Sequence, residues 1–133
     1  PSAPLTALLN RRVRGFDDHQ LSRRRSLGNR LVEQTRDQAT LGGHKTADHT
    51  FWVFPVASRE PVRLITRLRK SGFDATQGHS MEIVAMPDER SDTATGIRTT
   101  LPQIVYLPLY PDMSETAIDR MARIVCDVES TGH

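Results

Sequence analysis

The sequence has few of the residues that cross-link a chain covalently or bind metals. Cys126 is the only cysteine among 133 residues, so no disulfide can form within the chain. The histidines follow no spacing typical of zinc ligands; they are His19, His44, His49, His79 and His133. This composition excludes a disulfide-stapled fold, predicts no metal site and makes the cytoplasm the expected compartment.

Long apolar runs and aromatic side chains are also scarce. No stretch approaches the ~18 apolar residues that a membrane-spanning helix needs, and no secretion signal is apparent. Hydrophobic residues make up 37% of the chain, with one Trp, two Tyr and four Phe. We therefore expect a single domain without a membrane partner, whose thin core is completed by another lobe or a second copy of the chain.

Signatures of a self-contained active site are absent too. The Gly-Gly pair at 42–43 is not a phosphate-binding motif, and no nucleophile elbow of the GxSxG type occurs. Cys126 lies beside Asp127, whose negative charge raises the pKa of a thiol, so we interpret this cysteine as structural. His44 and His49 could bind an anion if they fold together, but exposed loop histidines are the simpler interpretation.

The charges that are present are unevenly distributed. The formal net charge is only +2, yet residues 1–37 contain eight arginines and four acids, with Arg23, Arg24 and Arg25 in a row. Such a cluster can hold the phosphates of a nucleic acid or a nucleotide through charge-assisted hydrogen bonds. A solvated helix surface explains the same pattern and is the simpler interpretation.

Two helices are predicted in the N-terminal third. The first covers residues 5–13, and the second begins at Asp17, with Gln20 in the spacing of a capping box. The second is rich in arginine and only weakly amphipathic, which favours a helix lying across a surface. Its apolar face is formed by Leu27, Leu31 and Thr35.

Two further helices have clearer end signals. Ser58 is the predicted cap of one, with Glu60 and Pro61 in its first turn and Gly72 at its end. Ser114 caps the last helix, with an apolar residue before it placed to pack on the next turn. The predicted core residues are Val62, Ile65 and Leu68 in the first of these helices and Ile118, Met121, Ala122 and Val125 in the second.

Strands are predicted at residues 51–56, 81–86 and 103–107, with a polar loop over 87–100. The first of them is apolar on both faces, and Pro55 marks its end or an edge position. The order of elements predicts an α+β fold, in which a short, mainly antiparallel sheet is packed by helices and preceded by a long helical arm.

Three segments together resemble the end of a DegT/DnrJ/EryC1/StrS aminotransferase. They are FWVFPV at 51–56, LRKSGFDAT at 68–76 and VYLPLYPDMS at 105–114, in the order and at the spacing of that family. The arginine-rich helical segment before them resembles the stretch that links the family's two lobes. The chain is thus similar to the C-terminal, small lobe, and because it begins at Pro1 without methionine we interpret it as part of a longer protein.

The resemblance implies an enzyme that transfers an amino group, usually from glutamate, onto a nucleotide-linked keto sugar. The implied cofactor is pyridoxal phosphate, which the family holds mainly in its large N-terminal lobe. Neither Lys45 nor Lys70 stands in the family's serine-x-x-lysine context, so the Schiff-base lysine belongs to the missing lobe. The resemblance therefore implies no catalytic residue in this chain, inactivity of the chain alone, and a homodimer for the full-length protein.

The family's small lobe also supplies residues on the substrate side. A threonine-arginine pair and a histidine follow its glycine turn; here Thr76 keeps the first place, Gln77 replaces the arginine and His79 comes early. An amide does not bind anions as a guanidinium does, so the departure bears on the substrate. Together with Ser80 these residues are the predicted substrate-side contacts, and exposed polar residues at a turn at Gly78 are the alternative.

Residues 1–40 are predicted to form the helical interlobe segment and residues 41–133 the α+β lobe, together one structural unit. Two other functions remain open. A nucleotide- or nucleic-acid-binding domain would use the arginine cluster, although the chain lacks the aromatic residues on a basic sheet face that single-strand readers use. A stand-alone interaction domain would use residues 51–56 as its association surface.

Overall fold

The computed structural model describes residues 2–15, 17–41, 49–78 and 100–131, with the side chains of Thr40 and Leu41 left aside. Four helices lie in this part of the chain: α1 (Ala3–Arg14), α2 (Asp18–Thr35), α3 (Pro61–Lys70) and α4 (Glu115–Ser130). The strands are β1 (Thr40–Leu41), β2 (Phe54–Ala57), β3 (Thr76–Gln77) and β4 (Ile104–Leu107), the last preceded by a 3₁₀ turn at Leu101–Gln103. The predicted α+β class is confirmed.

The four strands form one antiparallel sheet in the order β1-β2-β4-β3. Phe54 and Val56 of β2 are buried, as are Val105 and Leu107 of β4, so one face of the sheet is covered. Because side chains alternate along a strand, one row of each central strand enters the core. These rows share one apolar core with residues of α2, α3 and α4.

The helix predictions in the N-terminal third are confirmed in position and corrected in two details. Asp17 caps α2 through its side chain, but it accepts from the amide of His19 at 2.9 Å, and Gln20 contributes only a backbone amide. The predicted face of α2 is buried, with Leu27 and Leu31 inside the main core. This helix therefore does not merely lie across a surface, because its apolar stripe closes one side of the core.

The first predicted strand is shorter and later than expected. Residues 51–53 precede β2, and Phe51 has a φ of 51°, which is incompatible with a strand. Trp52 and Val53 are exposed, so this segment is not buried on both faces as predicted. Pro55 is the second residue of β2 and pairs with Tyr106 of β4. Because the amide of Ser58 donates to Gln103 just before β4, the nitrogen of Pro55 faces away from β4, where no ladder hydrogen bond to that strand is lost.

The third predicted helix is confirmed, but its start and one residue of its predicted face are corrected. Leu64 and Leu68 are fully buried and Ile65 partly, whereas Val62 is 71% exposed. The helix begins at Pro61 with Glu60 as its N-cap residue, so no acid lies in the first turn. The N-cap thus lies two residues after the predicted Ser58, and the inward stripe keeps Leu68 but has Leu64 in place of Val62.

The ends of α3 and α4 follow the predicted signals more closely. Gly72 adopts a left-handed φ of 85° just after α3, the conformation for which glycine was expected. Ser114 caps α4 by accepting from the amide of Ala117 at 3.2 Å, and Met113 packs against the core beside it. The strand predicted at 103–107 is confirmed as β4, whereas the prediction for 81–86 and nearly all of the 87–100 loop lie outside the described residues.

Candidate functional site

Antiparallel pairing brings the ends of three strands together at one edge of the sheet, the edge at which β4 ends and β2 and β3 begin. Phe54, at the start of β2, pairs with Leu107 at the end of β4, and Thr76, at the start of β3, pairs with Tyr106. The residues that precede β2 and β3 and those that follow β4 must therefore lie side by side. A groove of about 440 Å³ occupies this edge; its lining residues are Trp52, Val53, Asp74, Thr76, Gln77, Gly78 and residues 106–110.

The groove combines aromatic walls with a few polar groups. Trp52, Tyr106 and Tyr110 contribute the aromatic side chains, while Asp74 brings a carboxylate and Thr76 a hydroxyl. A concave site with apolar walls and a small number of polar groups is typical of small-molecule binding. This edge is therefore the candidate functional site.

Two of the four predicted substrate-side residues line the groove. Thr76 is exposed and its hydroxyl donates to the backbone carbonyl of Gln77 at 3.2 Å. The side-chain amide of Gln77 donates to the carbonyl of Pro102 at 2.7 Å, which fixes the amide next to β4. His79 and Ser80 lie outside the described residues. A role for any of the four in substrate binding stays a prediction.

Sequence reasoning missed the aromatic part of the site. Trp52 was expected inside a buried strand, and Tyr106 and Tyr110 were noted only as part of the closing motif. The antiparallel pairing of β2 with β4 is the signal that could have found them. Residue 52 precedes β2 and residue 110 follows β4, so both lie at the same end of this strand pair. Only the pairing of distant strands reveals this.

A second cavity, of about 320 Å³, lies at the opposite end of the sheet, where β2 ends and β4 begins. Its polar groups bond to one another. Ser58 donates to Glu129 at 2.5 Å, the amide of Arg59 donates to the other oxygen of Glu129 at 3.3 Å, and Ser130 donates to Gln38 at 2.5 Å. Because these contacts join the segments that follow α2 and β2 to α4, we interpret the cavity as a structural junction.

The arginines of α2 are partnered within the protein. Arg23 bonds to Glu115 at 3.2 Å, and Arg30 bonds to the same carboxylate at 3.2 Å and to Asp119 through two nitrogens at 2.6 and 2.9 Å. Arg24 lies over the ring of Trp52 at 5.9 Å. The α2–α4 contact thus uses charges that sequence alone had left available for phosphate.

Three side chains on α2 and α4 have shifted pKa values. The hydrogen bonds from Arg30 and then Gln34 lower the pKa of Asp119 from 3.8 to about 2, and the same contact with Asp119 raises the pKa of Arg30. Burial, followed by the charge of Asp127, raises the pKa of Cys126, which supports the structural interpretation of that thiol.

Among residues 2–15, 17–41, 49–78 and 100–131, no group of three or more His, Cys, Asp or Glu side chains could hold a metal ion. None of the four described helices is long and apolar enough to cross a membrane.

No protein-family model matches the chain, and no curated protein does. Solved structures with a similar fold include a DegT/DnrJ/EryC1/StrS aminotransferase from Brucella abortus, with a TM-score of 0.67 and 15% identity over 83% of this chain and 31% of that one. Sugar aminotransferase CalS13 from Micromonospora echinospora has a TM-score of 0.61 and 15% identity over 83% of this chain and 31% of that one. The aminotransferase TlmJ from Streptoalloteichus hindustanus has a TM-score of 0.62 and 17% identity over 94% and 35%.

The chain spans about a third of the length of the aminotransferases that it matches. At this identity the likeness establishes the fold, which is that of a small α+β lobe within those enzymes. The fold implied by the three sequence segments is therefore confirmed.

Proposed function

We propose that this chain is the C-terminal lobe of a pyridoxal-phosphate aminotransferase that transfers an amino group from an amino acid onto a nucleotide-linked keto sugar. The observation that carries the proposal is the agreement of two independent features. The fold is similar to a third of several sugar aminotransferases, and the groove at its sheet edge contains Thr76 and Gln77, where the resemblance predicts substrate contacts.

The described residues do not fit pyridoxal phosphate by themselves. Lys70, the one lysine in the described part of the chain, is exposed at the end of α3 and away from the groove lining. Asp74 is the charged side chain of that lining, and a carboxylate does not hold a phosphate. The cofactor, which supplies the electron sink for amino transfer, is therefore assigned to the missing lobe, and no catalytic residue is assigned here.

The role of this lobe is to contact the sugar substrate from one side and to keep water out. Aromatic walls exclude water, while the hydroxyl of Thr76 and the carboxylate of Asp74 can bond to sugar hydroxyls. The amide of Gln77 donates one hydrogen to Pro102, which holds the β3–β4 edge in shape and leaves its carbonyl oxygen and second N–H for the substrate. His79 and Ser80 complete the proposed substrate side.

The exposed apolar side chains of α1 are an argument for a missing partner lobe. Leu5, Leu8, Leu9 and Val13 are exposed, and no side chain of α1 is buried against the rest of the described structure. A short helix with an unpacked apolar stripe is marginal in water, so a partner surface stabilises it. We assign residues 1–40 as the interlobe segment, with α2 also part of the core, and residues 41–133 as the lobe proper, within a homodimeric, cytoplasmic enzyme.

The ion pairs of α2 disfavour the nucleic-acid alternative. Arg23 and Arg30 pair with acids of α4, and the aromatic groove is lined by a carboxylate and by no arginine or lysine among the described residues. Readers of single strands line their aromatic platforms with a positively charged groove, whereas here Arg24 lies over Trp52 and the groove lining itself carries Asp74.

The test is made on the full reading frame that encodes this chain. The expressed protein should bind pyridoxal phosphate, seen as cofactor absorbance that remains after gel filtration, and should convert glutamate to 2-oxoglutarate when a nucleotide-linked keto sugar is supplied. The 133-residue chain alone is the control and should do neither. A reading frame without a cofactor-binding lobe, or a protein that does not retain the cofactor, would refute the proposal. An enzyme that transfers the amino group only onto other ketones would refute the proposed sugar substrate.

A further inference from the structure

A glycine inside α2 makes room for an aromatic ring. Gly28 lies within α2 and is buried, and a Cβ built on it would meet three ring atoms of Phe51 at 2.3, 2.4 and 2.8 Å. These distances are far below van der Waals contact, so the ring rests directly on the helix backbone. Glycine is a poor helix former, and its presence here is explained by this close approach.

The backbone of Phe51 is in an unfavourable conformation that several contacts maintain. Its φ of 51° is uncommon for a residue with a bulky side chain. The ring is stacked on Phe54 at 5.6 Å and contacts the imidazole of His49 at 4.5 Å, and its amide donates to Nδ1 of His49 at 2.8 Å. Strained residues that the surrounding structure holds in place are concentrated at functional sites.

The consequence of this conformation is the position of the next side chain. While Phe51 enters the core, Trp52 turns outward and is 81% exposed, at the wall of the groove. Arg24, one helical turn before Gly28, lies over the indole at 5.9 Å, and its Nε is buried without a hydrogen-bond partner among the described residues. One face of α2 thus seats Phe51 and supports Trp52.

We propose that Gly28 and Phe51 are positioning residues that hold the Trp52 indole outside the core, where its face contacts the sugar ring of the substrate. This inference rests on the proposed function, because it takes the groove as the substrate side. An indole face suits the C–H face of a pyranose, while Asp74 and Thr76 on the other wall of the groove suit its hydroxyls. A glycine within a helix and a phenylalanine with a left-handed backbone are both unfavourable locally. Both are explained by the need to hold the Trp52 indole outside the core.

The positioning part is tested on the 133-residue chain, in which Trp52 is the sole tryptophan and hence the sole source of indole fluorescence. Alanine is the better helix former, so Gly28→Ala should raise the Tm if nothing opposes the new Cβ. We expect a lower Tm and a changed acrylamide quenching of Trp52. Removing the ring as well, in G28A/F51A, should recover part of the loss. Gly15→Ala, at the end of α1, is the matched control and should leave the quenching unchanged.

Additive Tm changes in the G28A and F51A cycle, or unchanged quenching in G28A, would overturn the positioning role. Should G28A fail to fold, F51A alone still gives the answer, because loss of the ring should alter the quenching of Trp52 while the helix stays intact.

The contact part is tested in the full-length enzyme by kinetics. Trp52→Ala should raise KM for the nucleotide-linked keto sugar about tenfold, in line with the loss of an aromatic contact, and leave KM for glutamate unchanged. Trp52→Phe should restore most of the loss, and Val62→Ala, on the exposed face of α3, is the control. An active enzyme in which W52A changes neither KM overturns this inference alone. A protein that does not retain pyridoxal phosphate overturns the proposed function and the sugar contact together, while the fluorescence cycle still decides the positioning role.

Discussion

The hydroxyl of Ser58 donates a hydrogen bond to Oε1 of Glu129 over 2.5 Å, joining the segment before α3 to the last turns of α4. The two residues are 71 positions apart and only 1% and 8% exposed. Ser58 also accepts from the amide of Glu60, so one hydroxyl serves both the carboxylate and the approach to the helix. Removal of a partner from such a buried pair leaves a polar group unsatisfied.

Ser58→Ala should therefore lower the free energy of unfolding by about 1 to 3 kcal/mol, measured by urea denaturation of the 133-residue chain. Ser130→Ala is the control, since Ser130 also donates to a side chain at 2.5 Å but is exposed, and its loss should cost about 0.5 kcal/mol or less. Equal costs for the two substitutions would contradict the buried junction.

The inward face of α3 yields a second prediction. Leu64→Ala should lower the free energy of unfolding by about 2 to 5 kcal/mol, because Leu64 is fully buried in the core. Val62→Ala, two residues earlier on the exposed side, should change it by about 0.5 kcal/mol or less. The sequence periodicity predicted that Val62 is buried. A large loss of unfolding free energy in V62A would support that prediction against the structure.

The ion pair between α2 and α4 predicts a pH dependence. The pKa of Asp119 is lowered from 3.8 to about 2, so the folded state binds its proton more weakly than the unfolded state does. The stabilisation is therefore complete above pH 4 and is lost as the pH falls toward 2.

The Tm of Asp119→Asn should lie below that of the unmodified chain at pH 5 and approach it as the pH falls toward 2. Arg30→Gln should give the same pH pattern, and the double variant should cost less than the sum of the two, because both changes remove the Arg30–Asp119 contact while Arg30→Gln also removes the bond to Glu115. A gap in Tm that is constant with pH would show that the contact does not lower this pKa.

The exposed stripe of α1 predicts different results in two contexts. In the 133-residue chain, L5E/L8E should leave the unfolding of the core unchanged, because both leucines are exposed. In the full-length protein the same change should lower the free energy of unfolding by about 2 to 4 kcal/mol, since we expect the partner lobe to bury them. V62E is the control for an added charge on an exposed helix face, and equal effects of the two variants would argue against the docked helix.

Much of the fold could be predicted from the sequence because its signals are local. Ser114 marks the start of α4 and Gly72 the end of α3 through hydrogen bonds and backbone conformations that involve only a few neighbouring residues. The resemblance carried by residues 51–56, 68–76 and 105–114 added the lobe type, which the fold comparison confirms.

The candidate site was predicted only in part. Thr76 and Gln77 follow the glycine turn in sequence, so a motif could point to them. Trp52 and Tyr110 line the same groove although they are 58 positions apart in the sequence. No local pattern shows that residue 51 leaves the strand conformation. That result requires Gly28, whose missing side chain leaves space for the ring.

The sequence by itself determined where α4 begins and where α3 ends, the α+β class and the segments that resemble an aminotransferase lobe, because caps and turns are short-range properties. Only the tertiary structure decided which face of α3 turns inward, which arginines pair with α4 and that Trp52 stands outside the core. Each of these depends on the shape and charge of a surface contributed by residues far away in the chain, and short-range signals carry no information about such surfaces.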